Sequence, residues 1–532
     1  MRMPTQEQPH QSHLEKRSVV SSFVFHFPKG SCGKPVVALF KRSEKVRTYS
    51  HHLAPITGSV SRSDSSVLEA AWRELSEETS LDKSSLIHWR TGKPFTFEDP
   101  SVNREWTVHP FAFKLKDSSE GGPSESAIKI DWEHEGWEWY DPCSVLHDEK
   151  LETVPRLQDS LRRVWFEGDL DERAGKALAL GLERIRNDHE SGAQELTAIA
   201  LMVFRDFIVH NEEGINKEWW NTARMAAWHI IKNGRESMGA ATMNALISVL
   251  DEMEDILQDE ETSSQHKWER VLSMLDHHLA SRKSRATQVK DAFANYLRFR
   301  FLHHGETRDK LTILTVSASS TIRDSILDAY ASLDIRKLEL RILESRPLFE
   351  GTSIGSSLLS NYRSRFIDTP GKDLKVKLYT DASAALAAAD VDLLLLGADR
   401  ISPTKGVSNK TGSLPAVLCT KHVSPTAQIA VLSDLEKINC AGSMIDDDHH
   451  EENDPMEVIS AWRNDGVKAV RVLEEGMKEG SSTVEVKNTY FEWVPLYFVD
   501  AFVSEEGVMD EGRIREKAKD LGETVNKFFR DL

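Results

Sequence analysis

Two groups of residues in this 532-residue chain have the types and spacing that chemistry needs. Glu74, Glu77 and Glu78 are three and four positions apart, so a helix that carries them puts all three carboxylates on one face. Unpaired, they repel. A divalent cation relieves that repulsion, and an all-oxygen ligand set working beside phosphate suits Mg²⁺ (or Mn²⁺). A solvated acidic helix end is the alternative. The second group centres on Asp399, which ends the apolar run Val391–Leu396 at Gly397-Ala398-Asp399-Arg400. Such a break reads as a buried parallel strand delivering one carboxylate to the crevice at its carboxyl end, or as an Asp that caps the next loop. Two other strand ends accompany it. In Glu344-Ser345-Arg346-Pro347-Leu348-Phe349-Glu350-Gly351, Arg346 can grip a phosphate by its fork, and Pro347 and Gly351 set a turn whose amides can approach the anion. In Ser317-Ala318-Ser319-Ser320-Thr321, hydroxyls and amides before a helix near Ile322 form an anion site, or merely a cap. With Asn409 and Lys410 these loops converge on a phosphorylated small molecule.

The elements that must hold these groups fall into three stretches. From Val19 to about Tyr140, short β-branched and aromatic runs such as Ser21–Phe27, Val36–Phe40 and Thr107–Phe113 predict strands. One helix interrupts them, starting near Ser65 or Ser66, with Leu68, Ala71, Trp72 and Leu75 on one face. Gly121–Ser126 reads as a surface loop. From about Leu151 to His304 the pattern is helical, and Trp219, Trp220 and Trp228 are expected to pack rather than to bind. From Leu311 onward strand and helix alternate, which predicts a doubly wound parallel sheet. The acidic run Asp446–Asp454 reads as a solvated loop rather than a metal site.

Composition narrows the function. Two or three domains are expected at this length. Hydrophobic residues at 39% and charged residues at 29% suit globular domains, and a net charge of −18 argues against a general nucleic-acid or anionic-membrane surface. Cys32, Cys143, Cys419 and Cys440 show neither metal-ligand spacing nor a disulfide framework, which fits a reducing compartment. Residues 1–17 are polar, without a signal-peptide core, and no run is long enough to span a bilayer. A cytoplasmic protein with a disordered tail is expected.

Gly58 followed by Glu69-Ala-Ala-Trp-Arg73-Glu74-Leu-Ser-Glu77-Glu78-Thr-Ser80-Leu resembles the Nudix hydrolase signature, Gly-x5-Glu-x7-Arg-Glu-U-x-Glu-Glu-x-Gly-U, with U aliphatic. Members of that family cleave nucleoside diphosphates linked to another group. The resemblance implies that Glu74, Glu77 and Glu78 hold the metal, that Glu74 is catalytic, one carboxylate doubling as base for water, and that Arg73 orients them. Glu133–Trp139 is similar to the family's late strand. Two departures stand out: Ser80 replaces the second Gly, and the spacing from Gly58 to Arg73 is one residue longer, which puts Ser65 at the earlier Glu position beside Asp64.

Ser345–Gly351, Gly397–Ile401 with Asn409–Ser413, and Asn488–Pro495 with Glu505–Val508 resemble another superfamily. It comprises the α/β/δ subunits of translation initiation factor 2B and the aldose-phosphate isomerases that act on methylthioribose-1-phosphate or ribose-1,5-bisphosphate. The likeness runs from about Glu195 to Leu532 and includes Gly234–Asn244. In those isomerases an Asp matching Asp399 and a Cys in the earlier loop shuttle protons between sugar carbons. Here Ser317 stands at the Cys position, and a hydroxyl is a poorer base than a thiolate. Arg346, Gly351, Ser319, Asn409 and Lys410 are implied to bind the substrate, with no cofactor.

The resulting expectation is an α/β multidomain fusion. It has a tail at 1–17, a Nudix α+β fold at 18–150, a helical linker at 151–190, a helical subdomain at 191–305 and a Rossmann-like sugar-phosphate domain at 306–532. The alternative is an initiation factor 2B-like regulatory or scaffold protein that binds a sugar phosphate or nucleotide without turnover. Small-molecule nucleoside diphosphate and sugar-phosphate ligands and a homodimer through the C-terminal domain are the expected partners, with neither membrane nor direct nucleic-acid binding.

Overall fold

The computed structural model describes residues 14–28, 34–116, 127–188, 191–211, 214–235, 239–259, 261–302, 308–367, 369–440, 453–478 and 484–532. Residues 1–13 of the tail, Cys32, the loop 121–126, residues 236–238 and the acidic stretch 446–452 lie outside them.

The N-terminal domain is built on an eight-stranded sheet. Its central strand, Glu15–His26, runs antiparallel to Val36–Arg42 and Ile56–Ser59 and parallel to Arg104–Leu115. Strand alternation sends Val20 and Val24 to one face and Phe23 and Phe25 to the other. The first face packs on helix Val67–Thr79 through Ala70, Ala71 and Leu75. The second is covered by Leu157, Leu161, Val164 and Trp165. Ser66 caps the helix by accepting the Glu69 amide, and Ser80 ends it in the left-handed region at φ 58°. That conformation is why glycine suits the position, and here serine adopts it.

Helices Glu172–Asn187, Ala193–His210, Lys217–Asn233, Gly239–Gln258 and Ser264–Phe301 form the helical middle. Trp219 and Trp228 are buried in its core with Trp220 packed alongside, and the C-terminal helix Glu511–Phe529 returns Val525, Phe528 and Phe529 to it. The first domain docks on this middle by buried polar contacts. Arg90 lies between the Trp89 and Phe166 rings, 3.9 and 4.1 Å from their centroids, and grips Glu167 at 2.6 and 2.7 Å. The Asn233 amide pairs with both backbone groups of Thr91.

The C-terminal sheet has seven strands in the spatial order Asp373–Tyr379, Ile335–Leu343, Arg308–Val316, Leu393–Leu396, Gln428–Leu432, Ala501–Ser504, Gly507–Met509. All neighbours are parallel except the last pair. The chain winds outward in one direction from Arg308–Val316 and then resumes on its other side at Leu393–Leu396. The order therefore reverses between these two strands, the place where such sheets bind ligands. A three-stranded antiparallel sheet, Arg400–Ser402, Gly406–Lys410 and Phe491–Val494, stands beside it. Its strands have three to five residues, too short for a periodic signal. Among the described residues no helix is long and apolar enough to cross a membrane.

Candidate functional site

Helix Val67–Thr79 aims its carboxylates differently although they share a face. Glu78 turns inward and is buried, with Oε2 2.7 Å from His134 Nε2. Burial pushes its pKa up to about 9, helped by the like charges of Glu133, Glu74 and Asp131, while burial pushes His134 down to about 4. Both shifts favour a neutral pair over a carboxylate–imidazolium ion pair. Glu74 is also shifted upward, by burial and against the pull of Arg73. Glu77 stays exposed beside Arg73 at 3.2 Å.

Arg73 organises this end of the helix. Its guanidinium takes both oxygens of Asp64 at 3.0 Å, Glu74 Oε1 at 2.7 Å and the Ser59 carbonyl at 3.1 Å. Those bonds hold its pKa above the ordinary arginine value. Gly58 explains how closely its strand, Ile56–Ser59, approaches this helix. A Cβ there would lie 1.9 Å from the Glu74 carboxyl carbon, so no larger residue leaves Glu74 where it is. Glu74 and Glu78 line a cavity of about 370 Å³ with Glu133, Arg42, Tyr49, Phe97 and Trp106. Glu77 does not. Among the described residues no three His, Cys, Asp or Glu side chains are gathered in metal-binding geometry. The donors nevertheless suit a hard divalent cation, because Glu74, Glu78 and Glu133 line one cavity, Glu74 and Glu133 both raise the pKa of Glu78, and Glu74 raises that of Glu133. The sequence reading gave no role to His134, Glu133 or Arg42. The first two lie in the Glu133–Trp139 stretch, and nothing local marks Arg42.

The second site assembles at the sheet's point of reversal. Ser317 and Asp399 follow adjacent parallel strands whose residues Thr315 and Leu395 are register partners. Asp399 is half-buried, and burial moves its pKa up. Lys437, Lys410, Arg235 and Arg400 surround it and pull the other way. Gly397 keeps the loop tight, since a Cβ would meet Ser319 and Asn409 Oδ1 at 3.4 to 3.5 Å. Asn409 donates to Ser413 Oγ at 2.8 Å. Lys410 is buried, lies 4.1 Å from the Tyr490 ring centroid and pairs with Glu350 at 2.9 Å. Lys437, from the loop after Gln428–Leu432, donates to the Ala398 carbonyl and so backs the Asp399 loop.

Other expected ligands are already engaged. Arg346 reaches Glu344 at 3.0 Å and Asp465 at 2.7 Å and covers the Phe349 ring. Gly351 lies in the first turn of helix Glu350–Phe366, and its amide donates to the Glu344 carbonyl at 3.1 Å rather than facing an anion. A Cβ there would lie 1.8 Å from the Leu343 oxygen. Ser319 caps helix Ser320–Ser332 by accepting the Ile322 amide. Ser317, at φ 71°, donates its own amide to Ser345 Oγ. Arg235 and Lys437 went unassigned in the sequence because both come from segments far from Asp399 in the chain.

The carboxylate-lined cavity under a helix and the basic crevice at a parallel sheet lie in two stretches of the chain that match two family models. The NUDIX domain model matches residues 17–162. The Initiation factor 2 subunit family matches residues 189–511, and the chain belongs to that family. Curated relatives include methylthioribose-1-phosphate isomerases of Syntrophus aciditrophicus, 26% identical over 170 residues, and of Magnetococcus marinus, 29% identical over 175. These matches cover 31 and 32% of this chain, and the chain spans 39 and 42% of the relatives' lengths. Solved structures similar to it include the Pyrococcus horikoshii translation initiation factor eIF-2B, at 17% identity and TM-score 0.42 over 65% of this chain and 99% of that one. The 5-methylthioribose 1-phosphate isomerase of the same organism gives 18% and 0.42, over 65 and 87%.

Proposed function

We propose that the chain is a divalent-cation-dependent hydrolase of a nucleoside diphosphate derivative, fused near residues 151–190 to an aldose-phosphate isomerase-like domain. The observation that carries the hydrolase half is the convergence of Glu74, Glu78 and Glu133 on one cavity. Mg²⁺ would be held by Glu74 and Glu78, with Glu77 and Glu133 available to complete the oxygen set. When bound, it supplies charge neutralisation and an activated water. Arg73 orients Glu74, whose pKa burial raises in the direction that a base working near neutrality needs. Cleavage of a panel of nucleoside diphosphate derivatives, followed with and without Mg²⁺, tests this half. Activity untouched by both Glu77→Gln and Glu78→Gln would remove it.

At the second site, Asp399 is the acid/base and the cations around it receive a phosphate. Ser317 completes the pair only weakly, and it favours a second reading in which the domain binds a sugar phosphate or nucleotide without turnover, as a sensor or scaffold. Incubation with methylthioribose-1-phosphate and ribose-1,5-bisphosphate, watched by NMR, separates the two. Ketose that disappears in Asp399→Asn supports the isomerase. Unchanged aldose together with a raised Tm supports the sensor. The family resemblance further favours a homodimer through the C-terminal domain, which light scattering at several concentrations measures.

A further inference from the structure

Phe97 and Trp106 line the same cavity as Glu74 and Glu78 and lie outside the domain's two apolar cores. They are direct cross-strand partners in the antiparallel pair Phe95–Asp99 and Arg104–Leu115, so both rings rise from one face. The other large aromatics on the domain's inner faces, such as Phe23, Phe25, Phe40 and Phe113, belong to its two apolar cores. Phe97 and Trp106 belong to neither. Each is only partly buried, with Phe95 near-parallel to Phe97 at 6.2 Å and Arg104 5.8 Å from the Trp106 centroid. Tyr49 completes this wall and is fixed by donating to Asp99 at 2.8 Å. The cavity thus has two unlike parts, a group of carboxylates and an aromatic wall open to a ligand.

We propose that the Phe97–Trp106 pair is a stacking platform for the nucleobase of the hydrolase substrate, and that it selects base-bearing diphosphates over diphosphates carried on a sugar or polyol alone. The inference rests on the hydrolase reading and names the part of the substrate that this chain recognises. A planar heteroaromatic ring gains dispersion and stacking against such a wall whatever its edge pattern. The platform therefore discriminates base from no base more sharply than purine from pyrimidine. The diphosphate is then directed toward Glu74, Glu78 and Glu133.

The experiment compares ADP-ribose with 5-phosphoribosyl 1-diphosphate, two diphosphates of which only the first carries a base, using the full chain with Mg²⁺. Loss of one stacking partner is expected to raise KM for ADP-ribose about tenfold in Trp106→Leu and in Phe97→Leu, with KM for the base-free compound within about twofold. Trp106→Phe, which keeps a ring, restores most of the affinity. Thermal unfolding of each variant checks the fold, and the two leucine variants lie on different strands, so one misfolded protein leaves the test intact. An equal change for both compounds, or none, overturns the proposal. If the unaltered protein cleaves neither compound, the hydrolase reading is decided by the wider panel of nucleoside diphosphate derivatives. AMP affinity by calorimetry then decides: a loss of about tenfold in Trp106→Leu retains the platform, and absent or unchanged AMP binding removes it.

Discussion

The two candidate sites are built on opposite plans. In the NUDIX domain three carboxylates and their organising arginine come from six consecutive residues, Arg73 to Glu78, on one helix. At the C-terminal sheet Ser317, Arg346, Asp399 and Lys410 come from four separate segments, joined only because the strand order reverses beside Asp399. A local site inherits its geometry from helix spacing, so a neighbouring strand has only to make room for it. A site made of loops depends on every backbone that brings a loop to the edge. The two should therefore fail differently when disturbed.

The largest effect is expected at the local site. Glu78→Gln keeps the size and a hydrogen-bond partner for His134 but cannot ionise to hold a cation, and hydrolysis should fall by about 100-fold or more with the fold intact. An activity assay beside a circular-dichroism melt reads both. Equal losses of stability and activity would mean that Glu78 is a core residue and that the comparison is misdrawn.

Two glycines sharpen it. In Gly351→Ala the new methyl meets the Leu343 carbonyl, which is backbone of a central strand, and stability should fall by about 3 kcal/mol in denaturant unfolding. In Gly58→Ala it meets only the Glu74 carboxyl group, which can swing away. Hydrolysis should then drop about tenfold while stability changes by less than about 1 kcal/mol. A reversed pattern would show that the strand carrying Gly58, not the Glu74 side chain, gives way.

The same contrast explains what could be read in the sequence. The helix over Val67–Thr79, its Ser66 cap and the shared face of Glu74, Glu77 and Glu78 follow from short-range rules. Five of the C-terminal strands were legible as short apolar or β-branched runs: Arg308–Val316, Ile335–Leu343, Asp373–Tyr379, Leu393–Leu396 and Gln428–Leu432. What each polar group pairs with was not. Glu77 rests on Arg73, and Arg346 on Glu344 and Asp465. Such pairings are settled by tertiary packing, which no spacing encodes. The side sheet that presents Asn409 and Lys410 escaped for a related reason, since its strands are short and their partners distant.

Glu505 extends the comparison to pH. It lies where Leu435 begins the loop that carries Lys437 behind Asp399, and it accepts the Leu435 amide at 3.1 and 3.3 Å. Burial, with the like charges of Asp434 and Glu436, pushes its pKa up to about 7 from 4.5. The folded chain thus holds a proton that the unfolded chain releases near pH 4.5. Stability from this group falls as pH rises from about 4.5 to about 7 and is level above that, by an amount on the order of 1 kcal/mol once solvent screening is allowed for. Glu505→Gln should flatten that slope in urea titrations at several pH values. A slope that persists unchanged would assign it to another group.

The smallest effect tests whether a loop-built site can be opened by freeing one of its ligands. Arg346 is half-exposed and is shared between Glu344 and Asp465, so its charge is only partly available to a phosphate. Asp465 comes from beyond helix Pro455–Asn464 and takes no part in the sheet. Asp465→Asn removes one competing charge, and since an exposed ion pair contributes about 0–1 kcal/mol, sugar-phosphate affinity by calorimetry should rise by no more than about fivefold. Arg346→Lys in the same background should cancel the gain, because an ammonium cannot form the two-pronged contact. A gain that survives the lysine would mean that the ligand's phosphate lies with Lys410, Lys437 and Arg235, and that Arg346 serves to hold its own loop.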